Sequence, residues 1–179
     1  YEDLIFGRVG LHIFFVLLAD RFVRNNGRVA FVLPATVLRI TSMKGVRKVW
    51  VNNYHIEYII TTWERAAFSE AAQFREILLI AKKLKDYKGK EEVPDTLKCA
   101  VVVLKRLPKN PDEAERVANI IRSKKLEMAI GGAYNDDNMT LTAISQGELK
   151  KMVENMFTLI STFDPHLGKL EQEIIQKSG

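Results

Sequence analysis

The run Arg28-Val29-Ala30-Phe31-Val32-Leu33-Pro34 most constrains how this chain can fold. It is short and almost wholly apolar, closed by Gly27 before it and ending on Pro34, as expected of a strand covered on both faces of a parallel sheet. Upstream, Glu2 to Asn26 is rich in helix formers and large apolar side chains. It ends in Asn25-Asn26-Gly27, a left-handed stop for one long, largely buried helix. Downstream, Ser42 is placed to cap a helix whose apolar positions Val46, Val49, Trp50 and Tyr54 recur at three- and four-residue spacing. Ile56 to Thr62 is a second β-rich run, so strand, helix and strand form a crossover unit expected to be right-handed and parallel.

Residues 63–74 read as a loop, and Glu76 to Ala81 as a third strand that follows the second too soon for a helical crossover. That pair is therefore expected to be antiparallel. A lysine-rich connection leads to Cys99-Ala100-Val101-Val102-Val103-Leu104, a fourth strand expected to extend the sheet edge. Asn110-Pro111-Asp112-Glu113 combines a cap, a first-turn proline and an acidic third position, and opens a helix to about Lys125. Gly131-Gly132 and Asn135 to Asn138 are turn chemistry, and Met139 to Ile144 alternates as a short strand. Ser145-Gln146-Gly147-Glu148 is a capping box for a helix to Ser161, and Asp164-Pro165 starts a last helix. The pattern is α/β, without internal repeats or low-complexity tracts.

With 179 residues, 47% hydrophobic and 27% charged, the chain has the composition of a globular protein. Its longest apolar stretch, Leu11 to Ala19, is far short of the ~20 residues that span a bilayer, so no transmembrane helix is expected. Tyr1 runs into an apolar segment without an initiator Met or a signal pattern, so the chain reads as an excerpt that begins mid-domain. Its one cysteine, Cys99, has no partner for an internal disulfide, which fits a reducing, cytoplasmic setting and a buried strand thiol. A net charge of +5 suits a polyanionic partner but decides nothing alone. His12, His55 and His166 lack the spacing of a metal site, and no Gly-x-Ser-x-Gly elbow or Cys/His pair suggests a nucleophile.

The long helix is followed in order by Gly27-Arg28-Val29-Ala30-Phe31-Val32-Leu33-Pro34, a helix with Arg47, a strand, Phe68-Ser69-Glu70-Ala71, and Arg75-Glu76-Ile77-Leu78-Leu79-Ile80-Ala81-Lys82-Lys83. This sequence of pieces resembles the later half of amino-group (adenine-specific) DNA methyltransferases, above all type I modification subunits and fused type IIG enzymes. The likeness covers about residues 1–107. It implies a partial class I methyltransferase, Rossmann-like sheet closed by an antiparallel hairpin, and a helix-rich connector over residues 108–179 that leads toward a target-recognition region.

By resemblance, Gly27 to Pro34 is the fifth strand of that sheet, and Ile56 to Thr62 with Arg75 to Lys83 is the terminal hairpin. The family's methyl-donor loop and its Asn/Asp-Pro-Pro-aromatic tetrapeptide are absent: the five prolines stand singly, and no Gly-rich loop follows any strand. The implied activity is therefore that of a larger restriction-modification protein. It would transfer a methyl group from S-adenosylmethionine, bound by the upstream half of the domain, to the exocyclic amine of adenine in DNA. Specificity or restriction subunits are possible further partners, and no catalytic residue is expected within these residues.

Ligands of such sheets sit at the carboxyl ends of the parallel strands, which nominates Pro34, Ala35 and Thr36 and the loop after Thr62. An extruded base needs an aromatic or apolar wall, and the resemblance gives that place to Phe68; the same ring could instead plug the base of the hairpin. Phe74, next to the strand start, is a weaker rival. Arg39 and the run Lys82, Lys83, Lys85, Lys88 and Lys90 offer contacts to DNA phosphates, or else form an ordinary solvated surface. Two other readings are a methyltransferase acting on RNA or a glutamine amide, and a non-catalytic α/β module of a DNA-processing assembly.

Overall fold

The structure is a computed structural model that describes Leu4 and residues 10–64, 68, 75–87 and 89–161. Among these residues six strands form one sheet: β1 (Arg28–Pro34), β2 (Tyr54–Thr62), β3 (Glu76–Lys83), β4 (Lys98–Leu104), β5 (Ala133–Asn135) and β6 (Met139–Ser145). Their spatial order is β1-β3-β2-β4-β6-β5. Helices α1 (Leu11–Phe22), α2 (Lys44–Asn53), α3 (Pro111–Glu127) and α4 (Gln146–Lys151) complete the described fold.

The expected crossover needs one correction. β1 and β2 run the same way, but β3 lies between them, antiparallel to both. β3 buries Ile77, Leu79 and Ala81 completely and uses both of its backbone edges, whereas β1 exposes Arg28, Ala30 and Val32 and ends in a proline, which suits an outer place. β1 is consequently not covered on both faces. Its alternate residues Val29, Phe31 and Leu33 pack on the core, while Val32 stays 48% exposed.

β4 is central rather than at the edge, parallel to β2 and antiparallel to β6. Its six buried residues from Cys99 to Leu104 explain this, because only an inner strand is covered on both faces. The segment after residue 108 therefore contributes two strands to the same sheet as well as helices.

One face of the sheet carries the larger core, where Ile13 and Val16 of α1, Val46 and Trp50 of α2 and Leu149 of α4 pack on Ile56, Ile59, Ile77 and Leu79. α3 covers the other face, with Ile121 against Ala100, Val102 and Leu141. Its start follows the sequence pattern: Asn110 accepts from Glu113 N at 2.9 Å, and Glu113 accepts from Lys109 N.

Other expectations hold in part. Asn26 is left-handed, with φ 66°, but it is not the helix stop: the helix ends earlier, at Phe22, with Val23 extended. The described helix before it buries only one face, with Ile13, Val16, Leu17 and Asp20, and leaves Leu11, Phe14, Phe15, Leu18 and Phe22 exposed. Ser42 does not cap α2; a short 3-10 turn, Thr41–Met43, leads into the helix without a side-chain cap. Gly45 is required there, because a Cβ would stand 2.2 Å from the carbonyl oxygen of Leu4. The capping box of Ser145 and Glu148 is formed, yet α4 stops at Lys151 instead of Ser161. The helix expected at Asp164-Pro165 lies outside the described residues.

Arg47 accounts for this early stop. Its side chain is fully buried and donates to four carbonyls: Val37 O at 2.7 Å, Ile40 O at 2.9 Å, Val153 O at 2.6 Å and Glu154 O at 3.1 Å. Two of these lie just past α4, on carbonyls that a continuing helix would need for itself, and Asn155 closes the turn by accepting from Phe157 N. Gln146 ties the start of the same segment down, donating to Val51 O and Tyr54 O.

Arg47→Met is expected to lower the unfolding free energy by roughly 3–5 kcal/mol, because it orphans several buried carbonyls. Urea titration would show a lower midpoint with an unchanged slope. An unmoved midpoint would mean that water replaces the guanidinium at no cost.

Candidate functional site

β1, β2 and β4 point the same way, so their carboxyl ends meet at one edge of the sheet. Pro34 stands opposite Glu76, Thr61 opposite Ile77, and Thr62 opposite Leu104, which is in turn opposite Met139. The sequence nominates this row, and the structure brings its loops together. Ala35 N donates to Arg75 O at 2.7 Å, joining the turn after β1 to the start of β3. Trp63 N donates to Leu104 O at 3.2 Å, and Leu107 N to Glu64 Oε2 at 3.1 Å, joining the loops that follow β2 and β4.

Phe68 belongs to this edge. Its backbone N–H donates to Glu76 Oε2 at 3.0 Å, and the residue is half-buried. Glu76 is itself fixed, with its carbonyl accepting from Thr61 Oγ1 at 2.8 Å. Thr36 is half-buried in the turn after Pro34, where its carbonyl accepts from Arg39 N and Ile40 N, both at 3.0 Å. Phe68, Pro34 and Thr36 therefore share one edge, built on strand ends and held by backbone bonds. Phe74, Lys88 and the residues from Ser69 to Ala71 lie outside the described residues.

The basic residues divide differently. Arg39 is exposed just past Thr36, with its guanidinium 4.8 Å from the ring centre of Phe157. Lys82, Lys83 and Lys85 sit at the far end of β3, which runs antiparallel to its neighbours, so they lie at the opposite edge. At ~3.3 Å per residue, the length of β3 places them about 20 Å from Pro34. Lys83 is in addition buried, donating to Asp20 O at 2.7 Å and paired with the carboxylates of Asp20 and Asp86. Lys85 donates to Gly89 O at 3.2 Å. The lysine run thus does not line the same edge as Phe68, and Lys83 presents no ammonium to a phosphate. Charge spacing along one strand does not tell which sheet edge it reaches.

Arg75 is the residue that charge patterning overlooks. It precedes β3 at the same edge as Phe68, and its guanidinium lies 4.7 Å from the ring centre of Trp63. Burial pulls its pKa below the usual arginine value.

Among the described residues, no group of three or more His, Cys, Asp and Glu side chains is gathered as metal ligands. No described helix is long and apolar enough to cross a membrane. No glycine lies in the described turns that follow β1, β2 and β4.

No family model matches the chain, and neither does any curated protein. Solved structures do. The type IIG restriction endonuclease BpuSI superposes on 97% of the chain with a TM-score of 0.61 at 18% identity. The chain shares its fold with proteins of restriction-modification systems. A structure of the type I restriction-modification complex matches 97% of the chain with a TM-score of 0.64 at 11% identity. The methyltransferase subunit of a type I system from Streptococcus thermophilus matches 82% with a TM-score of 0.55 at 17% identity. The chain spans 18%, 38% and 29% of the length of these three structures, respectively.

Cys99 is fully buried in β4, and burial raises its pKa to about 12 from an ordinary 9.0. The thiol is expected to resist a thiol reagent at pH 8 in the native protein and to react at one site in denaturant. The raised value implies stability that is full below pH 9 and lost as pH climbs toward 12, where the unfolded thiol ionises first. Cys99→Ala should flatten that alkaline decline, and an equally steep decline would assign it to other groups.

Proposed function

We propose that this chain forms part of a DNA adenine methyltransferase of a restriction-modification system. The carrying observation is the shared sheet edge on which Phe68, Pro34 and Thr36 converge, in a fold found in restriction-modification proteins. In this reading an adenine leaves the duplex and enters a pocket at that edge. Phe68 gives the base an apolar wall, and its backbone anchor on Glu76 sets the position of that wall. Pro34 and Thr36 form the floor on a turn held to β3 through Ala35 N and Arg75 O. Arg39, exposed beyond Thr36, reaches toward the backbone of the nucleic acid.

S-adenosylmethionine supplies the methyl group when it is bound. In this reading, donor binding and polarisation of the target amine fall to a segment outside these 179 residues. The role of this chain is to receive the base, orient its amine and exclude water from it. Residues 1–107 belong to the catalytic unit, and the strands β5 and β6 hold the following segment against it. The setting is cytoplasmic, and specificity or restriction subunits are further partners.

Two measurements test the reading. In the full-length enzyme, Phe68→Ala is expected to reduce the fluorescence of a flipped adenine analogue several-fold while the circular dichroism spectrum stays unchanged; an equal signal would return Phe68 to a packing role. These 179 residues alone are expected to show no heat of S-adenosylmethionine binding in calorimetry. Stoichiometric binding would refute the assignment of the donor to another segment. Methylation of RNA or of a protein amide by the full-length enzyme, with DNA left unmodified, would replace the nucleobase reading altogether.

A further inference from the structure

Arg75 carries an unmet demand. Its Nε and Nη2 atoms are out of contact with solvent and have no hydrogen-bond partner among the described residues, and both lie along the same side edge of the planar guanidinium. That side is the fork that matches two oxygens of one anion. The Trp63 ring, 4.7 Å away, meets the guanidinium by its face and does not engage the in-plane donors, while the indole remains 49% exposed. The pair therefore stands at the protein surface and not deep in the core.

Two carboxylates stand close by in sequence, and neither satisfies the fork. Glu64 uses Oε2 to accept from Leu107 N, and Glu76 uses Oε2 to accept from Phe68 N. A buried cation without an acceptor is costly, so a fork held in this state is best explained by an acceptor that arrives from outside. Its position narrows the choice. The carbonyl of Arg75 holds the turn after Pro34, and the next residue, Glu76, anchors Phe68, so the fork lies beside the proposed base pocket.

We propose that Arg75 is a phosphate-binding residue, whose Nε and Nη2 grip one phosphodiester of the nucleic-acid strand next to the extruded base. This rests on the reading of the edge as a base pocket and adds to it the group that holds the flanking backbone. Binding would satisfy both nitrogens at once, and the stacked Trp63 would fix the plane of the grip. A phosphate contact of this kind sets register and carries no sequence information itself.

The test uses the full-length enzyme and a DNA duplex containing the site it methylates, found by sequencing DNA it has modified. Arg75→Gln is expected to weaken binding about tenfold and to reduce the slope of log affinity against log salt by about 0.9, the loss of one phosphate contact. Methylphosphonate replaced one position at a time around the target adenine should weaken the unsubstituted enzyme at one position, and that position should be silent in Arg75→Gln. Arg75→Lys, which keeps the charge, guards against a folding failure and should retain the salt slope while losing several-fold in affinity.

An Arg75→Gln enzyme with a lower melting temperature but the same salt slope and phosphonate profile would overturn the proposal, since the fork would then serve an acceptor within the protein. An unsubstituted enzyme that neither binds nor methylates DNA would overturn the pocket reading itself. The two failures are thus told apart before any variant is made.

Discussion

A guanidinium sealed from water must find its acceptors inside the protein, and Arg47 finds four carbonyls on two stretches of chain. Val37 and Ile40 belong to the turns that follow β1, and Val153 and Glu154 to the exit from α4. One side chain on α2 thereby holds the loop that shapes the sheet's carboxyl edge against the segment that closes the larger core. Hydrogen bonds from a charged donor are stronger than neutral ones, and in a dry interior none can be exchanged for water. The turn bearing Pro34 and Thr36 is rigid because its carbonyls are already spoken for.

A second fixed point lies at the other end of the strands. The carboxylate of Asp20 in α1 accepts from the Tyr54 hydroxyl and pairs with the ammonium of Lys83, so helix, β2 and β3 meet on one buried carboxylate. The lysine is partnered by charge and by the carbonyl of Asp20, as a buried ammonium must be. The two polar clusters, around Arg47 and Asp20, tie the helices to opposite ends of the strands.

Much of this is legible in the sequence. The apolar run from Arg28 to Pro34, the alternation in Met139 to Ile144 and the caps at Asn110 and Ser145 are local signals, and the elements they announce are present. What local signals do not carry is adjacency. The place of β3 between β1 and β2, and of β4 inside the sheet, is set by which strands best fill a doubly covered position, a contest among residues far apart in sequence. The length of α4 fails for a related reason: residues 152–161 continue a plausible helical pattern, but Arg47, more than 100 residues earlier, takes the carbonyls the helix needs. The site is divided in the same way. Pro34 and Thr36 follow from the rule that ligands sit at strand ends, whereas the choice of Phe68 within the loop after Thr62 comes from the family resemblance. The lysine run reads as one patch with them until the antiparallel direction of β3 carries it to the far edge. Arg75 is hidden altogether, since a single arginine before a strand has no pattern to betray it.

The two flanks of the sheet are unequal. β5 ends it with three residues, too short to template another chain, whereas β1 ends it with seven, one outer rim of backbone donors and acceptors unused among the described residues. Beside that rim stand Val32 and the greasy side of α1, with Phe14, Phe15 and Phe22 turned outward. In a test tube, this combination favours stacking of one copy on another, edge to edge, into aggregates. A companion seated on the β1 flank would cover that edge, and solubility would then report its presence.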